Sequence, residues 1–209
     1  MHKKIDESLK SHSSVVAFSD KPVDWSALFG NDNPLKVEVG GGHGIPLFRE
    51  ASENEGVNFV AVTLADEKSE NLVREVEERE LSNVRAVLHD ARKAVPCMFE
   101  DGQVEEFFCL YPDFKYAFTQ DENLVQALFD KLKQGGSVLL VTEDPGFKDQ
   151  VMGTLRQVFG GGNVREELIK RGKDEIFEQT GHHVGDAVFY TVFMGERGIH
   201  HVITAEKQA

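Results

Sequence analysis

Val37-Glu-Val-Gly-Gly-Gly-His-Gly44 joins the first predicted strand to the first predicted helix, and this stretch decides the fold. Gly40, Gly42 and Gly44 allow a sharp turn and let a ligand approach the backbone closely. Glu38 lies near the strand end, two residues before the first of these glycines. A carboxylate attracts an ammonium group and repels a pyrophosphate, so the turn predicts a ligand that carries an amino group.

Short β-rich runs alternate with amphipathic helical stretches along most of the chain. The predicted strands are 35–39, 57–62, 84–88, 106–110 and 137–141, and the predicted helices are 45–54, 66–80, 121–133 and 147–159. This alternation predicts βαβ units, and hence an α/β fold with a doubly wound, Rossmann-like, mostly parallel sheet. Two later runs, 164–170 and 187–194, predict a C-terminal antiparallel hairpin.

One domain is enough for the 209 residues, of which 40% are hydrophobic. We expect a single domain to span 31–198, with 1–30 as an N-terminal extension packing on the core and 199–209 as a C-terminal tail. The chain shows no apolar run of membrane length and no signal core at its start, which predicts a cytoplasmic protein away from membranes. It is expected to be a monomer or a homodimer.

The acidic balance of the chain bears on its partners. The formal net charge is −13, and residues 37–130 hold 20 acidic against eight basic residues. Solvated helix faces explain most of this excess. A protein that binds nucleic acid through its phosphates needs a basic face, so the composition argues against such a partner.

Polar residues follow the second and third predicted strands. Thr63 stands at the strand end where nucleoside sites usually have an acid that binds both ribose hydroxyls, and Asp66 follows it closely. After the third strand, Asp90 and the adjacent Ala91 fit a site for an adenine amino group. The alternative for Asp90 is a helix N-cap, which the sequence leaves equally open.

Aromatic residues follow the fourth predicted strand, which continues as Leu110-Tyr-Pro-Asp-Phe114. Ligands of open α/β sheets bind at this carboxyl edge, so a substrate site is expected here. Its predicted members in this stretch are Tyr111, Asp113, Phe114, Lys115 and Tyr116. Aromatic side chains suit a flat, nearly neutral heterocycle, although the same rings could simply pack the loop onto the core.

Taken together, four segments resemble the class I S-adenosylmethionine-dependent methyltransferases, and more narrowly the bacterial tRNA (guanine-N7)-methyltransferase family. The segments are 37–44, 81–91, 132–143 and 177–182, which read VEVGGGHG, LSNVRAVLHDA, LKQGG through Thr142-Glu143, and FEQTGH. The resemblance covers roughly residues 25–195. It implies S-adenosyl-L-methionine as cofactor, with S-adenosyl-L-homocysteine as product. It also implies that Glu38, Asp90 and Asp113 bind the cofactor and that the glycine turn holds its methionine part.

The chain departs from the family pattern at three places. The ribose-binding acid aligns with Thr63. The PDPW motif and its basic run appear as 112–122, with one Lys against three acids. The Thr of the family's TxFE element aligns with Glu175. Losing the basic run removes contacts that a tRNA backbone would need.

Methyl transfer to a ring nitrogen needs alignment and, for an N–H substrate, a proton acceptor. Asp113 and Glu143 are the predicted catalytic carboxylates. The further predicted substrate-binding residues are Thr142, Phe177, Glu178 and His182. No metal is expected, because the histidine pairs lack further ligands at suitable spacing.

Three functions follow as hypotheses. The first is N-methylation of a small guanine-like or other fused N-heterocyclic compound. The alternative is guanine-N7 methylation in the tRNA variable loop, which would need a patch built from scattered basic residues. These are Lys131, Lys133, Lys148, Arg156, Arg165, Lys170, Arg171 and Lys173. The third is a catalytically inactive module that binds a cofactor or a partner.

Overall fold

A computed structural model of the chain describes residues 11–40, 42–112, 121–169 and 200–208. The described strands are β1 (Leu35–Val39), β2 (Asn58–Thr63), β3 (Val84–Leu88), β4 (Val104–Leu110), β5 (Leu132–Thr142), β6 (Val164–Ile169) and β7 (His200–Glu206). The described helices are α1 (Trp25–Phe29), α2 (Ile45–Glu53), α3 (Glu67–Glu78), α4 (Ala91–Met98), α5 (Glu122–Lys131) and α6 (Pro145–Phe159).

The strands form one sheet in the order β3-β2-β1-β4-β5-β7-β6. Strands β1 to β5 pair in parallel, whereas β7 is antiparallel to β5 on one side and to β6 on the other. In the centre, Val37 lies opposite Val60 of β2 and Phe107 of β4. The predicted fold class, a mostly parallel Rossmann-like sheet with a C-terminal antiparallel hairpin, is confirmed.

Apolar side chains form one buried layer on each face of the sheet. Because strand side chains alternate, Phe107 and Cys109 of β4 enter one layer and Phe108 and Leu110 enter the other. Helices α1, α4, α5 and α6 cover the first layer, and α2 and α3 cover the second. Burial on both faces explains the continuous apolar runs 59–62 of β2, 107–110 of β4 and 138–141 of β5.

The short helix α1 packs on the core through one aromatic side chain. Trp25 stacks on Phe99 with ring centroids 5.2 Å apart, and its Nε1 donates to the carbonyl of Met98 at 3.1 Å. The tryptophan therefore satisfies its polar group while its ring is buried.

Aspartates begin five of the described helices. The side chains of the N-caps accept backbone N–H groups in α1, α3, α4, α5 and α6. Those caps are Asp24, Asp66, Asp90, Asp121 and Asp144. An N-cap of this kind contributes about 1 kcal/mol, so part of the acidic excess serves helix initiation.

Two expectations from the sequence need correction. The helical pattern missed α4, whose eight residues include Pro96 near the end. The interpretation of 199–209 as a tail is wrong for His200–Glu206, which form β7 between β5 and β6. Val202, Ile203 and Ala205 are buried there, because alternate β7 residues face the core. The other strand expected in the hairpin, 187–194, lies outside the described residues.

Candidate cofactor and substrate site

The carboxyl ends of five parallel strands meet at one edge of the sheet. Strand β1 pairs with β2 on one side and with β4 on the other, so the chain order reverses between β1 and β4. Open α/β sheets bind ligands at this reversal point. The predicted site residues that follow β1, β2, β3, β4 and β5 therefore share one edge.

The glycine turn after β1 adopts backbone conformations that favour glycine. The φ angles of Gly40, Gly42 and Gly44 are 79°, 56° and 69°. A Cβ atom on Gly44 would lie 2.9 Å from Leu72 and 3.1 Å from Phe48, so helix α2 can start here only without a side chain. The glycine at 44 therefore serves the packing of α2 on α3, and binding of the methionine part of the cofactor by this turn stays a prediction.

Glu38 is buried within β1, with 1% of its surface exposed. Burial raises the pKa of the Cys109 thiol on β4, and the negative charge of Glu38 raises it further. The carboxylate therefore lies inside the sheet edge, at the reversal point. A buried carboxylate in this position favours a cationic ligand group.

Thr63 ends β2 with a buried side chain. Asp66 is the N-cap of α3, where Oδ1 accepts from the backbone N–H groups of Lys68 and Ser69 at 2.9 and 3.0 Å. One oxygen of Asp66 thus has a structural role. The prediction that Thr63 and Asp66 bind ribose hydroxyls stays a prediction.

Asp90 after β3 is an N-cap of α4, which is one of the two roles the sequence left open. Its Oδ1 accepts from the backbone of Arg92 at 2.9 Å, and both carboxylate oxygens accept from the Arg92 guanidinium. This side-chain hydrogen bonding lowers the pKa of Asp90, so the group stays ionised. Ala91 begins α4 beside it, and adenine binding by this pair stays a prediction.

Three side chains, two that directly follow β4 and β5 and one that begins β7, meet at the other half of the edge. The Tyr111 hydroxyl lies 3.0 Å from Nδ1 of His200, and Oε1 of Glu143 lies 3.1 Å from the same nitrogen. Tyr111 has a φ of 52°, and its N–H donates to the carbonyl of Val141 at 2.9 Å. A left-handed tyrosine costs energy and often marks a functional site.

The cluster of Tyr111, Glu143 and His200 favours neutral groups. Burial raises the pKa of Glu143. Burial also lowers the pKa of His200, and the charge of His201 lowers it further. With Glu143 protonated, Nδ1 of His200 can accept from the Tyr111 hydroxyl. With Glu143 ionised, the Nδ1–H tautomer can donate to that carboxylate instead.

Thr142 is buried, and its Oγ1 accepts from the backbone N–H of Asp144 at 3.2 Å. The contact organises the turn that leads into α6. The predicted role of Thr142 in binding the substrate stays a prediction. The remaining predicted site residues lie outside the described residues and stay predictions. They are Asp113, Phe114, Lys115, Tyr116, Phe177, Glu178 and His182.

Sequence reasoning missed His200, because the histidine pair was assigned to a tail. The signal was the β-branched run that follows it, His201-Val-Ile-Thr204. Within the described ranges, no group of three or more His, Cys, Asp or Glu side chains could hold a metal ion. Nor is any described helix both long and apolar enough to cross a bilayer.

The family profile described as "Putative methyltransferase" matches residues 32–180. The chain belongs to this methyltransferase family. Curated relatives include the tRNA (guanine-N(7)-)-methyltransferase of Salmonella typhimurium strain LT2, which is 26% identical over 189 residues, or 85% of this chain and 79% of the relative. The enzyme of the same name from Serratia proteamaculans strain 568 is 28% identical over the same shares.

Solved structures share the fold of this methyltransferase family member. One titled "Structure of an antibiotic related Methyltransferase" has a TM-score of 0.65 at 12% identity, covering 93% of this chain and 98% of its own. The 16S rRNA (adenine(1408)-N(1))-methyltransferase of Catenulisporales acidiphilia has a TM-score of 0.64 at 14% identity, covering 89% and 91%. The chain thus has the class I methyltransferase fold and resembles the tRNA guanine-N7 enzymes in sequence.

Proposed function

We propose that the protein transfers a methyl group from S-adenosylmethionine to a ring nitrogen of guanine in RNA, with tRNA as the first candidate substrate. The observation that carries the proposal is the alignment with tRNA guanine-N7 methyltransferases over 85% of the chain. This evidence favours the RNA alternative over the small heterocycle that the sequence ranked first. Structural neighbours that act on 16S rRNA support only the fold.

The described residues fit S-adenosylmethionine. Buried Glu38 suits its ammonium group, and the positive φ angles of Gly40, Gly42 and Gly44 form a turn whose backbone a ligand can approach closely. Ionised Asp90 suits an adenine amino group. When bound, the cofactor supplies the methyl group and the sulfur leaving group.

Glu143 is the described side chain best suited to act on the acceptor base. Methylation of N7 gives guanine a positive charge, and an ionised carboxylate near the base stabilises that charge as it develops. His200 supports this state when its Nδ1–H donates to Glu143, whereas the Tyr111 hydroxyl contacts the same nitrogen when Glu143 is neutral. Tyr111 and His200 are positioning residues in this scheme.

Two cations of the expected RNA-binding patch lie at the wrong edge of the sheet. Lys131 and Lys133 stand at the amino end of β5, whereas the site is at its carboxyl end. Lys131 forms an ion pair with Asp101 and Lys133 with Glu105, each at 2.6 Å. These lysines do not support a phosphate contact near the site.

Two more cations of that patch are also paired. Lys148 lies in the first turn of α6, near the carboxyl edge, whereas Arg165 lies at the start of β6, toward the amino edge. Lys148 contacts Asp149 at 2.6 Å and Glu166 at 3.4 Å, and Arg165 contacts Glu206 at 3.0 Å. A cation paired in this way presents little net positive charge to a phosphate. Exposed pairs contribute only about 0–1 kcal/mol, so an RNA phosphate could displace a carboxylate at small cost.

The paired cations favour a second candidate, N-methylation of a small guanine-like heterocycle. Such a substrate needs no phosphate grip and tolerates an acidic surface. The segment 112–122, with one Lys and three acids, supports the same candidate from sequence.

One assay separates the candidates. The full chain is incubated with methyl-labelled S-adenosylmethionine and either unmodified tRNA transcript, guanosine or GTP, and the nucleosides are identified by mass spectrometry. We expect 7-methylguanosine from tRNA, with binding that weakens steeply as salt rises. Label on guanosine or GTP alone would establish the second candidate and overturn the first.

Titration with S-adenosylhomocysteine completes the test. Binding without methylation of any of the three substrates would support the inactive binding module. Absence of binding at millimolar ligand would overturn both enzyme candidates.

A further inference from the structure

A cavity of about 410 Å³ lies at the amino ends of the parallel strands. Its wall includes Leu35 and Asn58, the first residues of β1 and β2, and Glu105 and Lys133, the second residues of β4 and β5. Cavities of this size hold small organic ligands. The candidate cofactor and substrate site lies at the carboxyl ends of the same strands, so the cavity is on the opposite edge of the sheet.

Asn58 is a buried polar side chain in the wall of this cavity, with 2% of its surface exposed. Its Nδ2 donates to Oδ1 of Asn31 at 2.8 Å. The same Asn31 oxygen accepts the backbone N–H of Asn33 at 3.0 Å, so it faces the amide nitrogen of Asn58 and not its oxygen. The Oδ1 of Asn58 is then left without a hydrogen-bond partner among the described residues.

The unpaired oxygen of Asn58 indicates that a hydrogen-bond donor is supplied from outside the described residues. Buried polar atoms in folded proteins are nearly always hydrogen-bonded, because an unpaired one is unfavourable. Since Asn58 lines the cavity, a ligand there can supply the donor. Trp25 and Leu35 line the same cavity and add apolar surface for the carbon part of such a ligand.

The charges that line the cavity favour a cationic ligand. Glu105 and Asp32 are acidic and Lys133 is basic. Lys133 pairs with Glu105 at 2.6 Å, whereas no hydrogen bond or ion pair links Asp32 to another described residue. One exposed carboxylate is therefore available beside the unpaired oxygen of Asn58, and both groups accept hydrogen bonds. An anionic ligand would be repelled here.

We propose that this cavity binds a small organic cation, which carries an ammonium or guanidinium group on a short carbon chain. The cationic group donates to Asp32 and to Oδ1 of Asn58, and the carbon chain lies against Trp25 and Leu35. The proposal goes beyond the proposed function, because none of these residues belongs to the cofactor and substrate site. A ligand bound here stabilises the folded chain without competing with S-adenosylmethionine.

Calorimetric titration of the full chain with agmatine, which carries a guanidinium and an ammonium group, tests the site. We expect one molecule to bind per chain, and we expect no binding of the uncharged pentane-1,5-diol. Asp32→Asn should weaken agmatine binding by roughly 10- to 100-fold, because a charge-assisted hydrogen bond is lost. The matched control is Asp20→Asn, which removes the same charge from an exposed aspartate outside the cavity wall and should bind agmatine as the wild type does.

Lys133→Gln provides a readout of opposite sign. It frees the carboxylate of Glu105 and should tighten agmatine binding by up to about fivefold. Its control is Lys131→Gln, which frees Asp101 outside the cavity wall and should leave the affinity unchanged. Thermal unfolding of each variant verifies that it is folded.

Two results would overturn the cation site. One is absence of agmatine binding at millimolar ligand, and the other is equal weakening by Asp32→Asn and Asp20→Asn, which would show only diffuse attraction to an acidic surface. Titration with S-adenosylhomocysteine keeps this test separate from the proposed function. A chain that binds S-adenosylhomocysteine but not agmatine would overturn the cation site alone, and a chain that binds agmatine alone would overturn the proposed function instead.

Discussion

The Tyr111 hydroxyl lies 3.0 Å from Nδ1 of His200, so a residue at the end of β4 contacts the first residue of β7. The same nitrogen lies 3.1 Å from Oε1 of Glu143. One ring nitrogen can accept from the hydroxyl or donate to the carboxylate, but it cannot do both at once. A single nitrogen of His200 therefore contacts residues that follow both β4 and β5.

Glu38→Gln should weaken S-adenosylhomocysteine binding by roughly 10- to 100-fold, since a charge-assisted hydrogen bond contributes about 1.5–3 kcal/mol. The amide keeps the shape and removes the charge that would face the ligand's ammonium group. Calorimetry measures the loss. Methylthioadenosine, which lacks the amino-acid part, is the control ligand and should bind both proteins equally. Equal weakening of the two ligands would contradict the assignment of Glu38.

Gly44→Ala should destabilise the fold by about 1–3 kcal/mol and weaken cofactor binding, because φ is positive and the new Cβ would meet Leu72. Gly153→Ala is the matched control, since nothing lies within 4 Å of its added Cβ within α6. That variant should gain about 0.5–1 kcal/mol. Urea unfolding compares the two. If Gly44→Ala left the free energy of unfolding unchanged, the turn would tolerate a side chain at this position.

Glu143→Gln should lower kcat/KM by roughly 100-fold, the usual scale for a positioned acid–base group. Burial raises the pKa of Glu143 above its ordinary value of 4.5, so wild-type activity should rise with pH through that higher pKa. The variant should lose this acidic limb of the pH–rate profile. A profile that keeps the limb would assign the titration to another group.

The same substitution should stabilise the protein at pH 7. A carboxyl whose folded pKa is raised contributes stability that is present below pH 4.5 and is lost as pH rises through the folded value. Glu143→Gln removes that loss, so the free energy of unfolding at pH 7 should increase while activity falls. Denaturant titrations at pH 4 and pH 7 give the difference directly.

His200→Gln should change the acid side of the stability profile. Burial lowers the pKa of His200, so its contribution is present above its ordinary value of 6.5 and is lost as pH falls through the folded value. The variant should lose less stability than the wild type below pH 6.5. Tyr111→Phe keeps the imidazole of His200, so stability should depend on pH as in the wild type. The missing hydrogen bond should lower the free energy of unfolding by about 1 kcal/mol.

Ile203→Ala should destabilise the protein by about 2–5 kcal/mol, because the side chain is fully buried in β7. An exposed neighbour, Gln208→Ala, should be neutral within about 0.5 kcal/mol. Chemical unfolding of both variants decides between a strand and a tail. If Ile203→Ala left the free energy of unfolding unchanged, residues 200–206 would behave as a tail and not as a buried strand.

The sequence predicts the parallel half of the fold well because its strands are buried on both faces and its turns are marked by Gly and Asp. The glycine turn at 40–44 depends only on local chemistry, so a local pattern reveals it, whereas the sequence left the helix cap at Asp90 as one of two roles. Helix α4 is short and contains Pro96, which hides its period. The bounds of α4 could therefore not be predicted from a local hydrophobic pattern.

The contacts that the sequence did not predict depend on pairing across the sheet. His200 reaches Tyr111 and Glu143 only because β7 inserts beside β5. Phe18 reaches His89 only because Val15 pairs with Ala86. Each pairing joins residues that are far apart in the chain, so the local sequence could indicate a strand but not its partner.

The position of β7 has a consequence for synthesis. It separates β5 from β6, yet it is the last of the described strands in chain order. While the chain emerges from the ribosome, β5 and β6 would present open strand edges until residue 206 is available, and such edges invite aggregation. His200 arrives with that strand. The cluster of Tyr111, Glu143 and His200 would therefore become complete only when the final gap in the sheet closes.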